Sequence, residues 1–370
     1  METVARLLHF AALSLLLLSG CAGGPVADDQ DLPLDQFVSR LRREHGVPAT
    51  AYAVIDSGQT VEIGTQGWVR NGRLRTVTLE SAFQISSNTK AITALLAGIA
   101  VEHGEISWET TIAQTLGRSG YEIPDEYADL TLEQLLSHTA GVPPIVDIDT
   151  WSAYLASDEP TAPQRRRMIV DIMSLSPRFP AGTSYEYSNM GYVIAGAMLE
   201  VACGATWEQL VTDRIFVPLG IESGGFGPPA ASGERFQPWG HNPGSVAPDA
   251  IGSDGPPGGA PAGAVHANIG DLATYVRVWL NEGAPLISRE TYAQLITPRR
   301  NQYALGWGSF ENEYGRVLTH DGCNMMFRST IYLMPDIDSA VIIVANDGSD
   351  SSLTLVHELW VHLMQTNFGK

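Results

Sequence analysis

The chain has 370 residues, 44% of them hydrophobic, with 22 basic against 41 acidic side chains and a formal charge of −19 at pH 7. That length supports one large domain or two cores of common size. Such acidity repels phosphate backbones and anionic headgroups, which sets aside nucleic acid as a partner.

Residues 1–20 read as a signal peptide: Arg6 precedes an apolar run from Leu7 to Leu18 that is too short to span a bilayer. It ends in Leu18-Ser19-Gly20-Cys21, which resembles a bacterial lipobox. That resemblance implies cleavage before Cys21 and lipidation of its sulfur. The protein would then be held at a membrane outside the cytoplasm, on the periplasmic side or at the outer membrane. The alternative is an ordinary secretory signal and a secreted protein. Residues 21–34, rich in Gly, Pro and Asp, read as a tether.

Leu34–His45 has helical spacing, closed by Gly46-Val47-Pro48. Thr50–Ile55 and Thr60–Trp68 are β-rich runs about the hairpin signal Asp56-Ser57-Gly58-Gln59. Ser87–His103 is predicted as a helix, apolar on every face and therefore buried. From about 106 to 220 the pattern is mainly helical, and 223–263 is a Gly/Pro-rich loop without periodicity. A helix over Asn268–Leu280 leads to strands at Arg316–Thr319, Phe327–Met334 and Ala340–Ala345, then a final helix over residues 352–367. Strands at both ends with helices between them predict an α+β fold: an antiparallel sheet flanked by helices and built from both chain ends. The expected division is a catalytic domain of 35–105 and 265–370, with a mostly helical domain, 106–264, inserted.

Lysine occurs only twice, at Lys90 and the C-terminal Lys370, against 20 arginines. Arginine stays protonated, whereas a buried lysine can lose its proton and act as a base. Lys90 follows Ser87 by three residues at a helix start, so the two share a face. Serine attacks only when a base removes its proton, and a useful lysine base needs its pKa lowered toward ~7–8 by burial or nearby cations. Each unit of that shift costs about 1.4 kcal/mol.

Farther on come Tyr187-Ser188-Asn189, after a Pro-Gly turn, and His320-Asp321-Gly322 at the head of the strand-rich region. S-x-x-K, Y-x-N and [KH]-x-G in this order resemble the serine β-lactamase and DD-peptidase superfamily, most closely its class C and D-alanyl-D-alanine carboxypeptidase branch. Leu130–Gly141 and Pro261-Ala262-Gly263 with Asp271-Leu272 add to the likeness, which covers nearly all of the mature chain. The resemblance implies Ser87 as nucleophile, Lys90 as proton acceptor, and Tyr187 sharing that role and protonating the leaving group. Asn189 would hold the substrate amide and Lys90. The backbone N–H groups of Ser87 and Cys323 would form an oxyanion hole. Gly322 would let the strand approach substrate, and His320 would meet a substrate carboxylate. Histidine at 320 stands where most β-lactamases carry lysine and accompanies DD-peptidases and esterases as well.

The expected activity is cleavage of an amide or ester in a β-lactam, D-amino-acid peptide or ester through a Ser87 acyl-enzyme. The alternative is a penicillin-binding receptor or envelope scaffold of the same fold with little turnover. No cofactor and no metal are expected: His357 and His362, beside Glu358, are five apart and point about 140° away from each other on a helix. Cys203 and Cys323 are read as free thiols, His138 as a structural hydrogen-bond partner, and Arg165-Arg166-Arg167 as a solvated face.

Overall fold

The computed structural model describes residues 32–72, 74–232, 236–243, 249–250 and 255–369. The expected signal segment, 1–20, and the expected lipidation site, Cys21, lie outside the described residues.

Helix α1 (Leu34–Glu44) precedes a hairpin of β1 (Ala49–Asp56) and β2 (Gln59–Gly67). Ser57 and Gly58, with φ of 49° and 71°, form its tip, the paired left-handed conformation that matches strand twist. Beyond the insertion come β5 (Gly308–Asn312), β6 (Gly315–Cys323), β7 (Arg328–Met334) and β8 (Ser339–Ala345). The main sheet runs β2-β1-β8-β7-β6-β5, and its described neighbours pair antiparallel. Pairing Thr50 with Ala345 places the two chain ends side by side in mid-sheet.

Period-2 alternation sorts each strand's side chains between two cores. Tyr52, Val54, Tyr332, Val341 and Ile343 meet α1 and the final helix α8 (Asp350–Phe368) through Phe37, Leu41, Leu355 and Leu359. Ala51, Ala53, Ile331, Leu333, Ile342 and Val344 face the larger core, where α6 (Ile269–Leu280) covers the sheet. Asn268 caps α6 by accepting from the Asp271 N–H at 2.8 Å.

A second, small sheet positions the site. In it β3 (Ala82–Gln84) pairs with β4 (Val265–Asn268), which also pairs with Gly225–Phe226. From β3 the chain enters a 3-10 turn, Ser86–Asn88, and then α2 (Thr89–Glu102). The expected Ser87–His103 helix thus starts at Thr89. The buried α2 packs among α5 (Asn189–Cys203), α7 (Arg289–Ile296) and Ala260–Gly263. Burying each of Ile92, Leu95, Leu96 and Ile99 stabilises the fold by about 1.5–3 kcal/mol.

The structure corrects several expectations. The sequence reading does not predict strand β5, whose only apolar residue is Phe310, or helix α7, whose run of Tyr292, Ala293, Leu295 and Ile296 lasts only about two turns. His320 lies near the end of β6, not at the head of a strand region. The 223–263 loop carries short elements, including Gly240–His241 paired with Asp249–Ala250 and the helical turn Ala260–Gly263. Arg165 is not solvated: on α4 (Thr161–Met173) it is 1% exposed, bonded to Glu200, Glu208 and the Gly258 carbonyl. Helix periodicity turns one residue of the arginine run inward, where two carboxylates balance its charge.

Candidate active site

Ser87 is presented by a strained turn. Ser86, just before it, has a left-handed φ of 49°, unusual for a residue with a Cβ. The turn is fixed from outside. Asn88 donates to Ser329 Oγ at 2.7 Å, and Ser329 Oγ donates to the Ile85 carbonyl at 2.7 Å. The Val265 N–H donates to Thr89 Oγ1 at 3.0 Å, and Thr93 donates to the Pro261 carbonyl at 2.7 Å. Ser87 itself is half-buried, so its hydroxyl remains reachable.

Lys90 has 0% exposure. Its Nζ lies 3.1 Å from Ser87 Oγ, 2.8 Å from Asn189 Oδ1 and 2.7 Å from the Ala262 carbonyl. Both carbonyl-type oxygens can only accept. A neutral amine spends its two N–H bonds on them and turns its lone pair toward the Ser87 hydroxyl. Burial holds the Lys90 pKa well below 10.5. The uncharged base needed for serine attack is therefore favoured by burial, and the geometry accommodates it.

Tyr187 lies across from this pair, with Lys90 Nζ 4.7 Å from its ring centroid and the Ser87 hydroxyl reaching its phenol oxygen. Burial pushes the Tyr187 pKa up, so it rests as a phenol, a proton donor. Ser188 caps α5, accepting from the Gly191 N–H and donating to the Pro143 carbonyl, both at 3.0 Å. That cap sets Asn189 on the first turn facing Lys90. His138, at φ 60°, accepts the Ser188 N–H on Nδ1 at 3.1 Å, the structural role expected of it. Burial depresses its pKa, so the ring is neutral.

Gly322 lies against the nucleophile turn. A Cβ there would stand 2.2 Å from the Ile85 carbonyl, 2.6 Å from Ser329 Oγ and 3.1 Å from the Ser87 nitrogen. The glycine lets β6 close on the nucleophile turn. The next residue, Cys323, donates its thiol to the Gly348 carbonyl at 3.6 Å, and neither it nor Cys203 forms a disulfide. His320 and Tyr187 have ring centroids 6.1 Å apart, but the His320 nitrogens bond within the protein, to Tyr303 and the Asp321 carbonyl. The structure thus gathers Ser87, Lys90, Tyr187, Asn189, His320, Gly322 and Cys323 around one turn.

Residues that sequence reasoning missed are the Ala262 carbonyl, Ser86, Ser329 and Tyr303. Pro261-Ala262-Gly263 was noted as a motif, but a backbone carbonyl leaves no side-chain signature. On α8, His362 stacks on Phe37 at 3.8 Å, and Glu358 meets His45 at 3.3 Å.

A family model described as Beta-lactamase matches residues 34–359. The chain belongs to the beta-lactamase family. Penicillin-binding protein 4 of Amycolatopsis lactamdurans is 28% identical over 84% of each chain. The unguisins hydrolase ungD' of Aspergillus campestris is 27% identical over 88% of this chain but 64% of its own, so this chain spans under two thirds of that protein. The octameric penicillin-binding protein homologue from Pyrococcus abyssi shares the fold with a TM-score of 0.73, at 22% identity over 89% of this chain and 76% of that one.

Proposed function

We propose that this beta-lactamase-family protein is a serine hydrolase that opens an amide or ester bond through an acyl-enzyme on Ser87. The observation that carries the reading is the Lys90 amine, dry and bonded to two obligate acceptors with Ser87 Oγ at 3.1 Å. Lys90 takes the hydroxyl proton as Ser87 Oγ attacks the carbonyl carbon. The oxyanion forms between the N–H groups of Ser87 and Cys323, where losing one donor typically costs ~3–4 kcal/mol. Tyr187, held as a phenol, protonates the leaving oxygen or nitrogen and is reprotonated from Lys90. Water then attacks the ester by the same route in reverse. Asn189 orients Lys90 and the substrate amide.

Turnover of a chromogenic ester and a cephalosporin by wild type and Ser87→Ala tests this, alongside fluorophosphonate labelling. Loss of both in the variant is expected; undiminished hydrolysis would sink the reading. A wild-type label that persists for hours would instead favour a receptor.

We also infer that lipidated Cys21 anchors the protein at the cell envelope, with substrate outside the cytoplasm. The apolar run before Cys21 and the tether after it support this. Cys21→Ala should move the protein from the membrane fraction to the soluble one; equal partition of both forms would refute it.

A further inference from the structure

Strand β6 passes the nucleophile with His320 two residues before the Gly322 contact to Ser87. His320 is 8% exposed and Tyr303 is 6% exposed. His320 Nδ1 lies 2.8 Å from the Asp321 carbonyl oxygen, which can only accept, so Nδ1 carries the proton. Burial, the leading cause, pushes the ring's pKa down to about 3, so at neutral pH it holds no second proton. Nε2 is therefore a lone pair, and Tyr303 OH, 3.1 Å away, donates to it. Burial raises the Tyr303 pKa well above 10, which keeps that phenol proton in place.

Both ring nitrogens are thus spent inside the protein, and the imidazole offers substrate neither a charge nor a free N–H. The other groups bonded into this cluster are no more cationic. The Lys90 amine is given over to Asn189, Ala262 and Ser87. Asp321, on the opposite face of β6, accepts from Thr330 Oγ1 at 2.6 Å and brings no cation either. A substrate carboxylate laid along β6 would lose its hydration and gain no cation from these groups.

We propose that the substrate group lying along β6 beside Ser87 is uncharged, an ester, a carboxamide or a ring-closed peptide, and that Tyr303 sets this preference by holding His320 as its Nδ1–H tautomer. The proposal rests on Ser87 as the nucleophile and narrows the substrate class of that site. Tyr303 is a positioning residue acting through His320.

Two measurements test it. The first compares kcat/KM on N-acyl-D-Ala-D-Ala and its C-terminal carboxamide in wild type and His320→Lys. Wild type should favour the carboxamide at least ten-fold, and the lysine should shift the ratio toward the free acid by a similar factor. Equal rates, or a wild-type preference for the acid, would overturn the proposal. The second needs no turnover: 15N NMR of histidine-labelled wild type and Tyr303→Phe at pH 7. A neutral Nδ1–H ring at His320, with an Nε2 shift that moves in the phenylalanine variant, is expected. An imidazolium, an Nε2–H tautomer or an unmoved shift would overturn it. Failure of the Ser87 reading would show separately, as hydrolysis surviving in Ser87→Ala, and leaves the NMR result standing.

Discussion

Replacing Gly322 by alanine adds one methyl group at the most crowded contact behind the nucleophile. Its Cβ would sit 2.2 Å from the Ile85 carbonyl oxygen, about 1.2 Å short of the 3.4 Å where ordinary contact begins. The obstacle is backbone, so no rotamer change relieves it. Ser329 Oγ, 2.6 Å from the added methyl, is tied to both Asn88 and Ile85 and cannot swing aside without breaking those bonds. The Ile85–Ser87 turn and β6 must therefore separate by roughly 1 Å, and overpacking of this kind costs ~1–3 kcal/mol. That displacement also parts the Ser87 and Cys323 N–H groups and moves Oγ relative to Lys90. A misplacement of about 1 Å costs on the order of 100-fold in rate. Gly322→Ala should thus fold, lose ~1–3 kcal/mol in urea unfolding, and fall about 100-fold in kcat/KM on a chromogenic ester. Wild-type stability together with wild-type kcat/KM would refute the packing argument.

Lys90→Arg should fold but lose about 10²–10⁴-fold in kcat/KM, because arginine keeps its proton; a variant within three-fold of wild type would show that no neutral amine is needed. Since burial lowers the Lys90 pKa, kcat/KM should fall toward acid pH as the amine binds a proton, and a rate profile flat to pH 4 would contradict this. The folded pKa lies below the unfolded one, so between that lowered value and the ordinary lysine value of 10.5 the unfolded chain binds the extra proton and stability rises with pH. Lys90→Met should flatten that slope in urea titrations; identical slopes would count against burial as the cause. Arg165→Ala leaves Glu200 and Glu208 without their shared cation and should destabilise by ~3–5 kcal/mol at pH 7. The loss should shrink at acid pH, because Glu200, whose pKa burial already raises, can then take up a proton. A change under 1 kcal/mol would place the arginine among dispensable surface charges.

Much of the fold and site was legible in the amino-acid order because both depend on side-chain identity at short range. The continuous apolar, β-branched runs of β1 and β8, the apolarity of α2 and the Asn268 cap each write their structure locally. The solitary lysine three residues after Ser87 announced a base and its partner, since one helical turn brings them to 3.1 Å. Tertiary structure decided what surrounds that pair. Ala262 contributes only a carbonyl, which any residue could supply, and it is 172 positions from Lys90. Whether Gly322 spares a substrate or the Ile85 backbone depends on which segment crosses it. Arg165 turned inward because Glu200 and Glu208 arrive from α5 and the segment beyond it. Tyr303 and His320, neutral and mutually bonded, take their protonation from burial that neither residue encodes. Sequence fixes which atoms are available; packing sets their dielectric surroundings and their partners, and hence the charge each one carries.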